Sequence, residues 1–153
     1  MDSLIARLIM FGTLLTVFST AFLAATLLPA ASEVVLAAAL ADESLNRWVL
    51  WFIATLGNTL GSVVNWGLGR FGAQYQQNRW FPASPAQMAR AEAWFQRYGV
   101  WSLVMAWLPV VGDALTVIAG LLRVRFTVFV VLVAVGKGAR YAAVIAGVDA
   151  LLF

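Results

Sequence analysis

Apolar and polar residues alternate along this chain in long blocks, and the apolar blocks define four segments. They cover residues 4–40, 48–68, 100–122 and 126–148. At about 1.5 Å per residue, the second and fourth segments are each long enough to cross a ~30 Å hydrocarbon core as one helix. The first and third are interrupted at Pro29 and Pro109, residues that break a helix. We therefore predict two crossings and two re-entrant hairpins, each of which returns to the side that it entered.

Residues 70–99 form a polar connection between the two halves. Within it, Ser84 is placed as an N-cap, Pro85 as the first helical residue and Gln87 as the partner in a capping box. Gly99 is placed as the C-terminal stop. The apolar residues between them fall on one face, at Met88, Ala91, Phe95 and Tyr98. The pattern predicts a short amphipathic helix that lies flat at the membrane interface; a partner-binding helix is the alternative.

Composition assigns the chain to the membrane proteins. Of its 153 residues, 63% are apolar and 11% are charged, whereas soluble domains are about 45–50% apolar and about 25% charged. The mean hydropathy is +0.88. The predicted fold is a single all-α polytopic membrane domain over residues 1–153. It contains a first repeat at 1–69, the connection at 70–99 and a second repeat at 100–153, and each repeat is a re-entrant helical hairpin followed by a transmembrane helix.

The N-terminal residues also resemble a signal peptide, with Arg7 followed by an apolar run. The run from Leu8 to Leu28 is longer than the usual core of such a peptide. Pro29 would also occupy the −3 position of the candidate cleavage site, where it fits poorly. We therefore expect this segment to be retained.

The absence of cysteine and histidine from the sequence excludes several kinds of chemical site. The chain contains no cysteine and no histidine, so disulfides, thiolate metal sites and the commonest general base are excluded. No motif pairs a nucleophile with a base, and we expect no enzymatic activity, no cofactor and no metal. The net charge of +3 suits the cytoplasmic loops of a membrane protein rather than nucleic-acid binding.

The distribution of charge predicts the orientation in the membrane. If only the second and fourth segments cross, six of the ten basic residues collect on one side, which is then cytoplasmic. These six are Arg70, Arg79, Arg90, Arg97, Arg123 and Arg125. Residues 41–47 and the C-terminal Asp149 lie on the other side. One crossing then separates the two hairpins, so they enter from opposite faces, as in an inverted repeat.

A short motif occurs in both hairpins. Leu-Pro, two apolar residues, a small residue and a carboxylate run from Leu28 to Glu33 and again, 80 residues later, from Leu108 to Asp113, with Gly112 as the small residue. A helix breaker beside an acid in two matching apolar segments is typical of transporter sites built from broken helices. Glu33 and Asp113 are thus candidate proton- or substrate-responsive carboxylates. The alternative is ordinary helix-start chemistry, in which a first-turn acid faces the positive end of the helix dipole.

The second segment carries small and polar residues at helical spacing. Gly57 and Gly61 form a pair that lets two helices approach closely. The stripe also includes Asn58, Ser62, Asn65 and Gly69, and Arg70 follows it. Two interpretations stay open: these residues bond helices together, or they line a cavity.

The fourth segment contains two cations in apolar surroundings. Lys137, Arg140 and Tyr141 share one helix face, and both cations lie too far along the segment to extend to the cytoplasmic interface without strain. A buried cation needs a partner, and Glu33 and Asp113 are the acids that lie in apolar sequence. We predict that these charges pair or share a cavity; ordinary interface charges are the alternative.

Three stretches of the chain match a known pattern in order and spacing. They comprise Pro29 and Glu33; Gly57, Gly61, Trp66, Gly69, Arg70 and Gly72; and Phe95, Gly99, Pro109, Ala119 and Gly120. Together they resemble the DedA superfamily, the VTT or SNARE-associated domain, and in particular its small YqaA-like branch. The chain departs from the superfamily pattern at the second-loop proline, where two flanking arginines are replaced by Ala106 and Gly112. Functions tied to those arginines do not carry over.

The resemblance implies two opposed re-entrant loops in a multi-pass protein of the bacterial inner membrane. It also implies proton-linked movement of membrane lipids, with an anionic phospholipid or a polyprenyl phosphate as the partner; a homo-oligomer is compatible with it. Our leading hypothesis is a small proton-linked transporter, or a lipid flippase or scramblase, whose site contains Glu33, Asp113, Lys137 and Arg140. The last two are candidates to replace the missing arginines. The alternative is a non-transporting structural or assembly factor of the membrane.

Overall fold

The computed structural model describes residues 2–26, 31–42, 44–72, 83–109 and 111–152. Over these ranges the chain forms six α-helices and one 3₁₀ helix. They are α1 (Asp2–Ala24), α2 (Ala31–Leu40), α3 (Arg47–Phe71), α4 (Pro85–Tyr98), the 3₁₀ helix (Gly99–Trp107), α5 (Val111–Leu121) and α6 (Phe126–Leu152). The predicted all-α class is confirmed. The third segment is interrupted after Trp107, as predicted, whereas Pro29 lies outside the described residues.

Within the described ranges, two helices are long and apolar enough to cross a membrane, judged by length and composition: Ser3–Ala24 within α1 and Phe126–Ala150 within α6. The sequence predicts a crossing for α6 but a re-entrant hairpin for the segment that contains α1. That hairpin is not confirmed, because α1 alone has the length of a crossing. α3, the other predicted crossing, has 25 residues but is less apolar, since it carries the polar stripe.

α1 lies against α3 and runs in the same direction. Gly57 faces the backbone of Phe18, whose carbonyl oxygen is 2.5 Å from where a Cβ atom on Gly57 would lie. Gly61 faces the backbone of Phe22 in the same way, one turn further along both helices. A side chain at either glycine would overlap the backbone of α1. The structure thus places both glycines of the predicted pair at a close helix contact.

α5 packs against the C-terminal part of α3 through a second pair of glycines. Gly69 of α3 faces the backbone of Val117, and Gly120 of α5 faces the backbone of Trp66. Most of α5 is buried as a result, from Ala114 to Gly120. α3 therefore packs against both halves of the molecule.

The two ends of this helical bundle are distinct. At one end, Arg47 of α3 and Asp149 of α6 form a salt bridge of 2.5 Å, and Leu45 of the preceding loop packs nearby. At the other end, Gly69 of α3 approaches Leu121 at the end of α5. The C-terminal part of α6 therefore lies at the same end as the loop before α3, as the sequence predicts.

The predicted amphipathic helix is present as α4. Ser84 and Gln87 form the capping box, and Gly99, with a φ of 61°, ends the helix. The residues that pack against the core are Met88, Ala91, Trp94 and Phe95. Tyr98, which the sequence places on this face, is 52% exposed. The chain turns into the 3₁₀ helix directly after Tyr98. The ring of Tyr98 packs edge-on against the ring of Trp94.

Candidate functional site

The candidate site lies where two helices begin inside the molecule rather than at its ends. Glu33 is in the first turn of α2 and Asp113 is in the first turn of α5. Both helices follow an interrupted segment, so these first turns reach the middle of α6, where Lys137 and Arg140 lie. We call Glu33, Asp113, Lys137 and Arg140 the charged cluster.

Arg140 connects three elements. Its Nε atom donates to Glu33 Oε1 at 2.7 Å, and its Nη2 atom lies 2.6 Å from the same oxygen. Its Nη1 atom donates to the backbone carbonyl of Trp107, at the end of the 3₁₀ helix, at 2.9 Å. The side chain of Arg140 is 16% exposed and that of Glu33 is 35% exposed. The predicted pairing of a cation of α6 with an acid of the motif is confirmed for these two residues.

Lys137 is more deeply buried, at 4% exposure, and begins a chain of hydrogen bonds. Its ammonium group donates to Asn58 Oδ1 on α3. Asn58 Nδ2 donates to the hydroxyl of Tyr141 at 2.8 Å, and that hydroxyl donates to Ser32 Oγ at 3.0 Å. The chain therefore joins α3, α6 and the first turn of α2 through buried polar groups, which are strongly held when every member is bonded.

Asp113 faces both cations without forming a close pair with either. Its carboxylate interacts electrostatically with Lys137 and with Arg140, and the salt bridges found among the described residues are those of Arg47 and Arg140 with other acids. The backbone carbonyl of Asp113 accepts a hydrogen bond from Thr116 at 2.6 Å. Within the charged cluster, the structure thus brings Glu33 into direct contact with a cation and leaves Asp113 at longer range.

A cavity of about 560 Å³ opens beside Arg140. Its lining residues are Glu33, Trp107, Pro109, Ala139, Arg140, Ala143 and Val144. Two charged side chains therefore meet a wall that is otherwise apolar, which is the usual character of a ligand site. Gly112 lies close to the 3₁₀ helix, whose residue Trp107 lines this cavity. A side chain on Gly112 would overlap the backbone of Ala106.

The polar stripe of α3 is engaged in contacts between and within helices. Asn65 donates to the carbonyl of Ala25, which follows the end of α1, at 2.8 Å. Ser62 donates to the carbonyl of Asn58 at 3.0 Å. Arg70 stacks over the ring of Trp66, 5.6 Å from its centroid. Of the two interpretations left open by the sequence, these contacts favour helix packing, and none of the stripe residues lines the 560 Å³ cavity.

Two contributors to the site carry no clear signal in the sequence. Trp107 acts through its backbone carbonyl, a group that every residue has. Ser32 belongs to the repeated motif, but only as its small residue, and its role as an acceptor for Tyr141 depends on how α2 and α6 meet.

Comparison with known proteins identifies the family. The VTT domain matches residues 3–149, which is almost the whole chain. The chain belongs to the VTT-domain, or DedA, family. The resemblance described from the sequence is thereby confirmed.

Relatives of this VTT-domain protein place it in the inner membrane. It is 41% identical over 134 residues to the inner membrane protein YqaA of Escherichia coli, covering 88% of this chain and 89% of that protein. It is 34% identical over 141 residues to an uncharacterized protein of Haemophilus influenzae, covering 88% and 86%. It is 25% identical over 100 residues to undecaprenyl phosphate transporter A of Staphylococcus aureus, covering 60% and 49%. No solved structure matches it at a significant level.

Proposed function

We propose that this VTT-domain protein moves an anionic lipid between the leaflets of the inner membrane, without enzymatic chemistry and with proton movement linked to lipid movement. The observation that carries the proposal is the contact of Arg140 with Glu33 at the edge of an otherwise apolar cavity. An Arg guanidinium binds the oxygens of a phosphate group through several hydrogen bonds at once. The headgroup therefore binds at Arg140, in the cavity that Glu33 also lines.

The contacts of the interrupted segments support two re-entrant hairpins that enter from opposite faces. α1 and α2 pack together at the end marked by the salt bridge of Arg47 with Asp149. The 3₁₀ helix and α5 pack with α4 at the other end. The inner turns of both units contact Arg140. An inverted repeat of this kind holds one site between two units, each of which can open it to one face.

Glu33 supplies the link to protons. An anionic headgroup and the Glu33 carboxylate compete for the same guanidinium group. A proton on Glu33 removes the competing charge, so protonation and headgroup binding favour each other. Asp113 and Lys137 add one negative and one positive charge that interact with each other and with Arg140. Loss of the proton to the other side of the membrane restores the salt bridge and expels the headgroup.

The distant relative supports the chemical class of the substrate. Undecaprenyl phosphate is an anionic lipid, and the Staphylococcus aureus protein that is named for its transport shares 25% identity with this chain over 100 residues. The shared feature that we carry over is a lipid with a phosphate headgroup.

Lipid movement in vesicles tests the proposal. The purified protein is reconstituted with a fluorescent phosphatidylglycerol, and movement between leaflets is followed by chemical quenching, with and without a proton gradient. We expect movement that the gradient accelerates and that Arg140→Gln abolishes. Arg47→Gln is the matched control, because it breaks the other arginine–carboxylate bridge of α6, the one with Asp149, and not the one with Glu33. Equal movement by the Arg140→Gln and unmodified proteins would contradict the proposal.

The second candidate is a non-transporting structural or assembly factor. It is favoured by one observation: Arg140 is already bonded to Glu33 and to the carbonyl of Trp107. On this alternative, the role of these charges is to hold α2, α6 and the 3₁₀ helix together. In that case the reconstituted protein leaves the lipid in place under every gradient, and Arg140→Gln lowers the melting temperature.

A further inference from the structure

A second cavity lies beside α6, next to the cavity at Arg140. It is a groove of about 500 Å³ between α3 and α6. Its lining residues are Trp51, Phe52, Thr55, Leu56, Thr59, Val130, Ala134, Val135, Gly138 and Ala139. Small residues of α6 form part of it and bulky residues of α3 form its wall. We call it the α3–α6 groove.

Two buried hydroxyl groups distinguish this groove from an ordinary lipid-facing surface. Thr55 and Thr59 line it, and they are 9% and 5% exposed. Neither hydroxyl oxygen has a hydrogen-bond partner among the described residues. Other helical threonines of this chain, such as Thr16 and Thr20, donate to the carbonyl four residues earlier in the helix. A buried hydroxyl without a partner is unfavourable unless an acceptor arrives.

The groove adjoins the 560 Å³ cavity beside Arg140, where we place the lipid headgroup. Ala139 lines both the 560 Å³ cavity at Arg140 and the α3–α6 groove. Because its side chain is a single methyl group and is exposed, it forms a low ridge between the two spaces. One molecule can therefore occupy both spaces by passing over Ala139.

From this continuity and these hydroxyl groups we infer that the α3–α6 groove binds an acyl chain of a diacyl glycerophospholipid, with its ester carbonyl bonded to Thr55 and Thr59. The inference rests on the proposed function, because it places the phosphate of the same lipid at Arg140. Threonine has two common χ1 rotamers in a helix, and the second rotamer turns each hydroxyl towards the occupant. A polyprenyl phosphate has no carbonyl oxygen to accept from these threonines, so the groove selects an ester-linked lipid.

Photo-crosslinking tests this assignment. The full-length protein is reconstituted into mixed phosphatidylcholine and phosphatidylglycerol vesicles in which the phosphatidylglycerol carries a diazirine in one acyl chain. After illumination, mass spectrometry maps the labelled residues. We expect labelling concentrated on residues 51–59 and 130–139. We also expect Ala139→Trp to reduce it about tenfold, whereas the same change at the exposed Ala142, which lines neither cavity, leaves it intact.

The hydroxyl groups are tested by a second pair of variants. Thr55→Val together with Thr59→Val keeps the shape of the groove and removes both donors, and we expect labelling to fall about three- to tenfold. Thr16→Val together with Thr20→Val is the control, because those hydroxyls are bonded to the backbone of α1. Competition by unlabelled phosphatidylglycerol, and weak competition by a polyprenyl phosphate, supports the inference.

Three outcomes would overturn it. They are labelling spread evenly over the lipid-facing helices, labelling that Ala139→Trp leaves unchanged, and equal competition by a polyprenyl phosphate with no effect of the threonine variants. Labelling requires no transport, so the two proposals fail separately. A protein that moves no lipid but shows labelling dependent on Ala139 would contradict the proposed function alone, whereas a protein that moves lipid with even labelling would contradict the groove alone.

Discussion

Arg140 of α6 and Glu33 of α2 are 107 positions apart in the chain, yet Arg140 Nε donates to Glu33 Oε1 at 2.7 Å. The contact joins the last helix of the second half to the first turn of a helix in the first half. Because the same guanidinium also bonds the carbonyl of Trp107, Arg140 connects both interrupted segments. Any movement of one segment relative to the other therefore changes the surroundings of this side chain.

Glu33→Gln separates the roles of this contact. The variant keeps the shape of the side chain and removes the ionised group, so we expect tighter headgroup binding but lipid movement reduced about tenfold, since a proton can no longer exchange at the site. Because both side chains are partly exposed, the loss of stability should be below the ~3–5 kcal/mol typical of a fully buried pair. Binding and transport assays on one preparation check both effects. Asp149→Asn, at the other salt bridge, is the control; unchanged movement in Glu33→Gln would rule out a proton role for this acid.

Asp113→Asn tests the longer-range acid. It removes the negative charge that faces Lys137 and Arg140, so two cations are left near each other in apolar surroundings. We expect lower thermal stability, by several degrees, since about 1 kcal/mol corresponds to about 2–4 °C for a chain of this size. Adding Lys137→Met should restore part of the melting temperature but not lipid movement, because it removes the buried charge and also the hydrogen bond to Asn58. A stable and fully active Asp113→Asn protein would leave only the helix-start role for this residue.

Gly57→Ala tests the contact between α1 and α3. The added methyl group would overlap the carbonyl oxygen of Phe18, and we expect destabilisation of about 1–3 kcal/mol. Gly61→Ala should behave alike, because Gly61 faces Phe22 in the same way. Gly67→Ala on the same helix is the control, since no atom lies within 4 Å of its added Cβ. Thermal melts of the three variants in detergent decide the matter; equal melting temperatures would mean that α1 does not pack on this face.

Cysteine labelling tests the predicted orientation. The chain has no cysteine, so Ser44→Cys and Arg123→Cys each introduce a single reactive thiol. We expect a membrane-impermeant reagent to label Ser44→Cys from outside the cell and Arg123→Cys only after the membrane is opened. Ser84→Cys, at the start of α4, should behave like Arg123→Cys. Labelling of positions 44 and 123 from the same side would refute the opposed hairpins.

Local signals in the sequence predict much of this fold. The capping box at Ser84, the stop at Gly99 and the interruption before Asp113 all follow from residues next to each other in the chain, and each is present. The length of α1 could not be decided in this way, because hydropathy is the same for a crossing helix and for one arm of a hairpin. Tyr98 belongs to the apolar face by its spacing, but its exposure as the last residue of α4 depends on where the chain turns next, which spacing does not show.

The candidate site could be predicted only as a set of charges. Two acids and two cations in apolar sequence must find partners, so their convergence was predictable. Which partners they find depends on tertiary placement: Arg140 contacts Glu33, whereas Lys137 donates to the amide oxygen of Asn58. Hydropathy and charge count carry no information about an amide acceptor on a different helix. The carbonyl of Trp107 is even less visible, because its side chain has no part in the contact.

The four members of the charged cluster carry two positive and two negative charges when all are ionised, so the empty site is electrically neutral. A singly charged headgroup therefore gives the loaded site one negative charge, and its passage across the membrane is driven or opposed by the membrane potential, at about 2.3 kcal/mol per 100 mV. A proton on Glu33 cancels this charge. The lipid and the proton then cross the membrane together without net charge movement, so lipid movement by this protein should generate no current.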